Sequence, residues 1–161
     1  MEIILTAMMV MAAYMAIIAG TFGIPPSLSD SFYLLDERKK GLGYVFTGLC
    51  WTEAIMVAIC MLELSDGMWF QFMAFLACAG LGFVGAAPLF REKSESRVHF
   101  TGAAMCAIFS QVWIILMGMW YLPVIFLAIA LLAVRANGNK IFWLEMAAFA
   151  SAYAAILIKL I

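Results

Sequence analysis

The chain has 161 residues, of which 67% are hydrophobic and 12% charged, with a formal net charge of −1. Soluble domains run at about 45–50% apolar and about 25% charged, so this chain lacks the polar atoms to cover itself in water and its expected solvent is lipid. The near-zero charge and the lack of a large Lys/Arg block exclude a binder of phosphate backbones, and no nucleic-acid partner is expected.

A hydrocarbon layer of about 30 Å takes about 20 residues of helix to cross. Six apolar segments fit, at residues 3–24, 42–62, 68–90, 98–117, 119–134 and 141–161. The first has Glu2 as its only charge, with no basic n-region and no small-x-small cleavage site, and reads as a retained helix rather than a signal peptide. Between the first and second lies the one long polar stretch, GIPPSLSDSFYLLDERKKGLG. Its SLSD follows two prolines and is turn chemistry, because Pro fixes φ while Ser and Asp bond nearby backbone. SFYLL adds an interfacial apolar patch, and Arg38, Lys39 and Lys40 then stand at headgroup level, where bases attract anionic lipid. A solvated linker carrying only a topology signal is the alternative. The fourth and fifth segments meet at LMGMWYLP, which has Gly118 and Pro123 but no charge, so the turn there must be tight.

Three loops carry eight of the nine bases: Arg38, Lys39 and Lys40; Arg91, Lys93 and Arg97; Arg135 and Lys140. The ninth is Lys159. The bias toward alternate loops supports six crossings and, by the positive-inside rule, places loops one, three and five in the cytoplasm with both termini outside. Four of the tryptophans fall near segment ends, as in an aromatic belt; Trp51 lies deeper. Lipid provides no hydrophobic force between helices, so close packing relies on small residues. Ala74, Cys78, Gly82 and Ala86 form one such ladder, Gly102, Cys106 and Ser110 a second, and Ala147, Ser151 and Ala155 a third. These ladders put the third, fourth and sixth segments at the tight centre.

Ionisable groups inside membrane helices are costly and are functional candidates by default. Glu53 is the sharpest, in LCWTEAIMV near mid-membrane. It is either a proton or cation site, a catalytic acid, or an acid hydrogen-bonded to a neighbouring helix. Gln71 and Gln111 also lie within segments and are its candidate partners, or interhelical glue in their own right. Glu145, one turn into the last segment, suits the helix dipole and an interfacial pair with Lys140. His99, at the entry to the fourth segment, titrates near neutrality without help. The cysteines Cys50, Cys60, Cys78 and Cys106 form no Cys-x-x-Cys pair and read as small buried apolar residues, with a bridge between helices left open. One His makes a metal site poor, and no cofactor is expected.

Three pieces in order, PPSLSD, ACAGLGFVGAAP and VHFTGA, resemble the DRAM/Frag/Sfk family of six-helix membrane proteins and related uncharacterised bacterial membrane proteins. The family's Ile-Ser-Asp motif after its first helix is matched by Leu28, Ser29 and Asp30. Its Gly-containing third helix is matched from Gly80 to Ala87, and its His before Gly-Ala by His99, Gly102 and Ala103. The resemblance runs through Ile115. It implies work in or on lipid, since the family's branches are linked to autophagy, to remodelling of lipid anchors and to phosphoinositide signalling. It also singles out Ser29, Asp30 and His99 as a cluster on one membrane face. The family places its first loop on the lumenal or outer side, whereas the bases here place it inside.

The expected fold is all-α, a polytopic transmembrane bundle of six helices forming one integral membrane domain over residues 1–161. The expected function is non-enzymatic engagement of membrane lipid or a protein partner, or a homo-oligomer contact, at the face carrying loops one and three. The setting is a bacterial inner membrane. One alternative is a small proton- or cation-coupled transporter using Glu53; another is a membrane-embedded lipid hydrolase using Ser29, Asp30 and His99.

Overall fold

Runs of Ala, Leu, Ile, Met and Phe without internal breakers favour helix, and the breaks between them fall at glycine or proline. At Gly138 the chain leaves a helix in the left-handed region, φ 83°, and starts the next one two residues later. A side chain there would be strained. The computed structural model describes residues 1–87 and 95–161, and these are helical without strands. The helices are α1 (Glu2–Phe22), α2 (Asp30–Arg38), α3 (Tyr44–Leu64), α4 (Gln71–Ala86), α5 (Glu95–Leu116), α6 (Tyr121–Asn137) and α7 (Lys140–Leu160).

The all-α architecture thus stands, with seven helices among the described residues instead of six. The addition is α2, a nine-residue helix within loop one. Four helices are long and apolar enough to cross a membrane: α1, α3, α5 from Arg97, and α7. Of the other two apolar helices, α4 is shorter than expected from sequence and α6 starts and ends two to three residues later. α4 starts at Gln71 because residues 68–70 form a turn, in which Met68 O accepts the Gln71 N–H at 3.0 Å. Residues 88–90 of that expected segment lie outside the described residues. α6 starts at Tyr121, after a turn closed by the Met119 N–H on Ile114 O at 3.1 Å.

Short connections make consecutive long helices antiparallel. One end of the bundle therefore carries loop one and the α6–α7 turn, and the other carries both termini and the α3–α4 and α5–α6 turns. Arg38, Lys39, Lys40, Arg97, Arg135 and Lys140 all stand exposed at the loop-one end. Arg91 and Lys93 lie outside the described residues. The opposite end holds Glu2, Glu63, Asp66 and Lys159.

The packing corrects the expected centre. α3 is the most enclosed of the four long helices, with half of its apolar window buried against 22% for α1 and α5. Its neighbours are α1, α2, α4 and α7. The α4–α5 contact is the closest, and it runs through Gly80 and Gly102. A Cβ on Gly80 would lie 2.6 Å from both Gly102 O and Cys106 N, and one on Gly102 would lie 2.8 Å from Gly80 O. Gly85 does the same for α3, where a Cβ would meet that of Cys50 at 2.7 Å. Of the ladder expected on α4, Ala74 and Cys78 are buried, but Gly82 has nothing within 4 Å of a Cβ. The other two ladders hold: Ser110 is buried, and Ser151 and Ala155 are fully enclosed.

The tryptophans divide. Trp69 and Trp120 are 75% and 64% exposed at the end opposite loop one, as a belt requires. Trp113 is instead fully buried in the core. The outer surface is apolar: Ile17, Phe75, Ile108, Leu131 and Leu132 are each more than half exposed. A contiguous apolar surface of this kind marks contact with another apolar phase.

The glycine contacts give a direct check. Gly80→Ala is expected to destabilise the detergent-solubilised protein by about 1–3 kcal/mol through overpacking and to lower its melting temperature. Gly82→Ala is expected not to lower it. Equal melting temperatures would contradict the α4–α5 contact.

Candidate functional site

Loop one is not a solvated linker. Its first half folds back onto the end of the bundle. Ser27 Oγ donates to Asp30 Oδ2 at 2.8 Å and accepts the Asp30 N–H at 3.1 Å. This reciprocal pair works like a capping box one turn ahead of α2. Ser29 Oγ joins it, 2.9 Å from Ser27 Oγ. Ser31, fully buried, donates its hydroxyl to Leu28 O at 2.5 Å and so takes the Tyr14 hydroxyl proton across a 2.6 Å contact with α1.

Three bonds then tie loop one to the start of α7. The Leu28 N–H donates to Glu145 Oε2 at 2.6 Å, the Phe142 N–H to Pro26 O at 3.1 Å, and Asn139 Nδ2 to Ile24 O at 2.9 Å. Glu145 therefore serves the backbone of loop one, and among the described residues no ion pair joins it to Lys140. The physical reason is position: Glu145 lies one turn deeper than Lys140, beside a backbone N–H that would otherwise be buried without an acceptor. On the outer side of loop one, Arg38, Lys39 and Lys40 are exposed, and Asp36 Oδ1 accepts the Gly41 N–H at 2.6 Å.

Glu53 is fully buried in α3. Its partner is neither Gln71 nor Gln111. Tyr153 of α7 donates its hydroxyl to Glu53 Oε2 at 2.7 Å, while Oε1 is buried without a partner among the described residues. Gln71 opens α4 at the far end of the bundle, and its Nε2 donates to Leu62 O at 3.0 Å. Gln111 is interhelical glue: its Oε1 accepts the Ser151 hydroxyl at 2.9 Å and its Nε2 reaches Ala148 O at 3.4 Å. Ser29 and Asp30 spend their hydrogen bonds within loop one. His99 lies half-buried in the early turns of α5.

Beneath loop one lies a partly open cavity of about 80 Å³, bounded by α3, α4, α5 and α7. Leu28 and Ser29 roof it. Cys50, Cys78 and Cys106 are among its walls, all as free thiols. Its polar lining is confined to Ser29, Ser110, Glu145 and Tyr153. Glu53 does not line it. Tyr153 does, with its hydroxyl turned to Glu53. The roles of Tyr14, Ser27, Ser31 and Tyr153 went unseen in the sequence. The one signal for them is their placement: hydroxyls within or beside apolar segments need acceptors supplied by other helices.

No family model, curated protein or solved structure matches the chain.

Two pairs of variants test this site. Tyr153→Phe strands a buried carboxylate oxygen and is expected to cost about 1–3 kcal/mol in unfolding experiments. Adding Glu53→Leu should then cost less than the sum of the single changes; strictly additive losses would mean that the bond contributes nothing. Glu145→Ala is expected to speed amide exchange over residues 24–31, while Glu145→Gln, which keeps an acceptor for Leu28, slows it back toward wild type. Unchanged exchange in Glu145→Ala would show that loop one is held by other contacts.

Proposed function

We propose that the chain is an integral membrane protein of six spans that binds anionic lipid headgroups at its loop-one end and carries out no catalysis. The observation that carries this reading is the segregation of bases. Six exposed bases share one end of the bundle with the acids Asp30, Asp36, Glu37 and Glu145, while the opposite end has Lys159 as its base among three acids. Juxtamembrane bases contribute about 1 kcal/mol each toward an anionic surface. α2 suits this arrangement. It is short, with Leu35 buried against the bundle, Tyr33 exposed, and its basic C-terminal end running into Lys39 and Lys40.

On this reading α1, α3, α4, α5, α6 and α7 are the spans and α2 lies at the interface. α4 and α6, at 16 and 17 residues, are about 24–26 Å long at 1.5 Å per residue. That is a modest mismatch, absorbed by local thinning and flanking turns. The basic end faces the cytoplasm by the positive-inside rule, and the expected setting is a bacterial inner membrane. The resemblance to the DRAM/Frag/Sfk family points the same way, toward lipid, although that family places its first loop on the other side.

Neither alternative draws support. A transporter using Glu53 needs a polar path to it, and Glu53 does not line the cavity. A hydrolase using Ser29, Asp30 and His99 needs the imidazole within hydrogen-bond reach of the hydroxyl or carboxylate, whereas the bonds of Ser29 and Asp30 given above serve the turn of loop one.

Delipidated protein in detergent is expected to bind phosphatidylglycerol in preference to phosphatidylcholine, with an affinity that falls as salt rises. Lys39→Glu combined with Lys40→Glu should weaken phosphatidylglycerol binding at least tenfold, given about 1 kcal/mol per base. Equal binding of the two lipids by the wild type would refute the assignment.

A further inference from the structure

We infer that the internal cavity binds one aliphatic chain of a membrane amphiphile whose head carries a hydrogen-bond donor, a hydroxyl or an ammonium, directed at the Glu145 carboxylate beneath loop one. This rests on the bilayer setting proposed above but not on the headgroup contact at Lys39 and Lys40.

The shape argues for a chain. Along α3 the lining runs from Phe46 to Met61, a length of about 22 Å at 1.5 Å per residue. The α4, α5 and α7 linings are shorter, about 10–12 Å, so a volume of about 80 Å³ is elongated along α3, a form that suits a run of methylenes better than fused rings. It is also several times the roughly 10–15 Å³ that one water needs, yet its walls offer water few partners along most of the length. Apolar walls with a few polar groups at defined points are the usual make-up of a small-molecule site.

The distribution of polar groups sets the direction. Glu145 and Ser29 lie at the roofed end, by loop one, where a lipid head would sit. Glu145 holds Leu28 through Oε2 alone. Among the described residues its Oε1 accepts no hydrogen bond, and it is not among the sealed polar atoms. A carboxylate with a spare oxygen selects a donor and disfavours an anionic head. Chain entry comes from the side. Ala107 on α5 lines the cavity and is also exposed on the outer surface, with the small residues Ala103 and Ala148 near it in the lining. The small side chains there mark the gap a chain would use, beside the Gln111 bonds that join α5 to α7.

Photolabelling tests the site. Wild-type protein in phosphatidylcholine nanodiscs is irradiated with trace 1-hexadecanol bearing a mid-chain diazirine, or with phosphatidylethanolamine bearing the same group in one acyl chain. Labelled residues are mapped by peptide mass spectrometry. At least one probe is expected to label Cys106, Ala107 and Ala148 severalfold above the outward-facing Ile108 and Leu132. Labelling by hexadecanol identifies a free single-chain amphiphile, and labelling by phosphatidylethanolamine a bilayer lipid. Unlabelled hexadecylamine should compete better than hexadecanoate, and Glu145→Gln should erase that difference. Ala107→Leu with Ala148→Leu narrows the gap and should cut cavity labelling severalfold; if that variant does not fold, the wild-type map and the competition decide. Lys39→Glu with Lys40→Glu should leave cavity labelling unchanged, so that the chain site and the headgroup contact are read separately. Equal labelling of cavity and outward residues by both probes would overturn the site.

Discussion

A polar atom inside this bundle has no water to turn to, and the outside of the bundle is apolar. That single constraint arranges the rest. Several buried polar side chains find their partners on another helix or in loop one, and those partnerships mark which helices meet. Glu53 meets Tyr153 and so joins α3 to α7. Gln111 meets Ser151 and joins α5 to α7. Glu145 meets the Leu28 backbone and joins α7 to loop one. α7 takes part in all three, although α3 is the more enclosed helix. Close packing supplies the complementary part, with Gly80 and Gly102 letting the α4 and α5 backbones touch. Interhelical hydrogen bonds in membranes average only about 0.6 kcal/mol, so the polar pairs specify the arrangement more than they stabilise it.

The same constraint makes the loop-one end differ from its opposite. At the far end the connections are short turns. At the loop-one end a folded strap covers the bundle, its inner side bonded to α1 and α7 and its outer side basic. One end thus combines an outward basic side with a cover over an apolar interior.

Much of the fold was legible. Composition gave the helical class, runs of apolar residues gave the long helices to within a few residues at most ends, and the spacing of bases gave the end at which each loop falls. Gln111 as glue and the Ser151–Ala155 face were readable from residue type and four-residue spacing. What was hidden depended on geometry across long sequence separations. Glu53 and Tyr153 are a hundred residues apart, and nothing local marks one as the other's partner. The α4 ladder illustrates a register limit. Gly80, Gly82 and Gly85 are all small, and only the position of α5 selects Gly80 over Gly82. Loop one misled because PPSLSD has the composition of a solvated turn, while its folding depends on acceptors and donors supplied by α7. Glu145 and Lys140 invited an ion pair by proximity in sequence, and depth in the bundle decided otherwise.

The central claim is that an apolar bundle crosses a lipid layer with its basic end on one side. Single cysteines in a Cys106→Ala background measure this directly, since Cys106 is the partly exposed native thiol while Cys50, Cys60 and Cys78 are buried and a membrane-impermeant maleimide should pass them by. Lys40→Cys, Asn137→Cys and Asp66→Cys are each labelled in sealed vesicles of one orientation. Lys40→Cys and Asn137→Cys should react from the same side and Asp66→Cys only from the other. Reaction of all three from one side of sealed vesicles would contradict the claim.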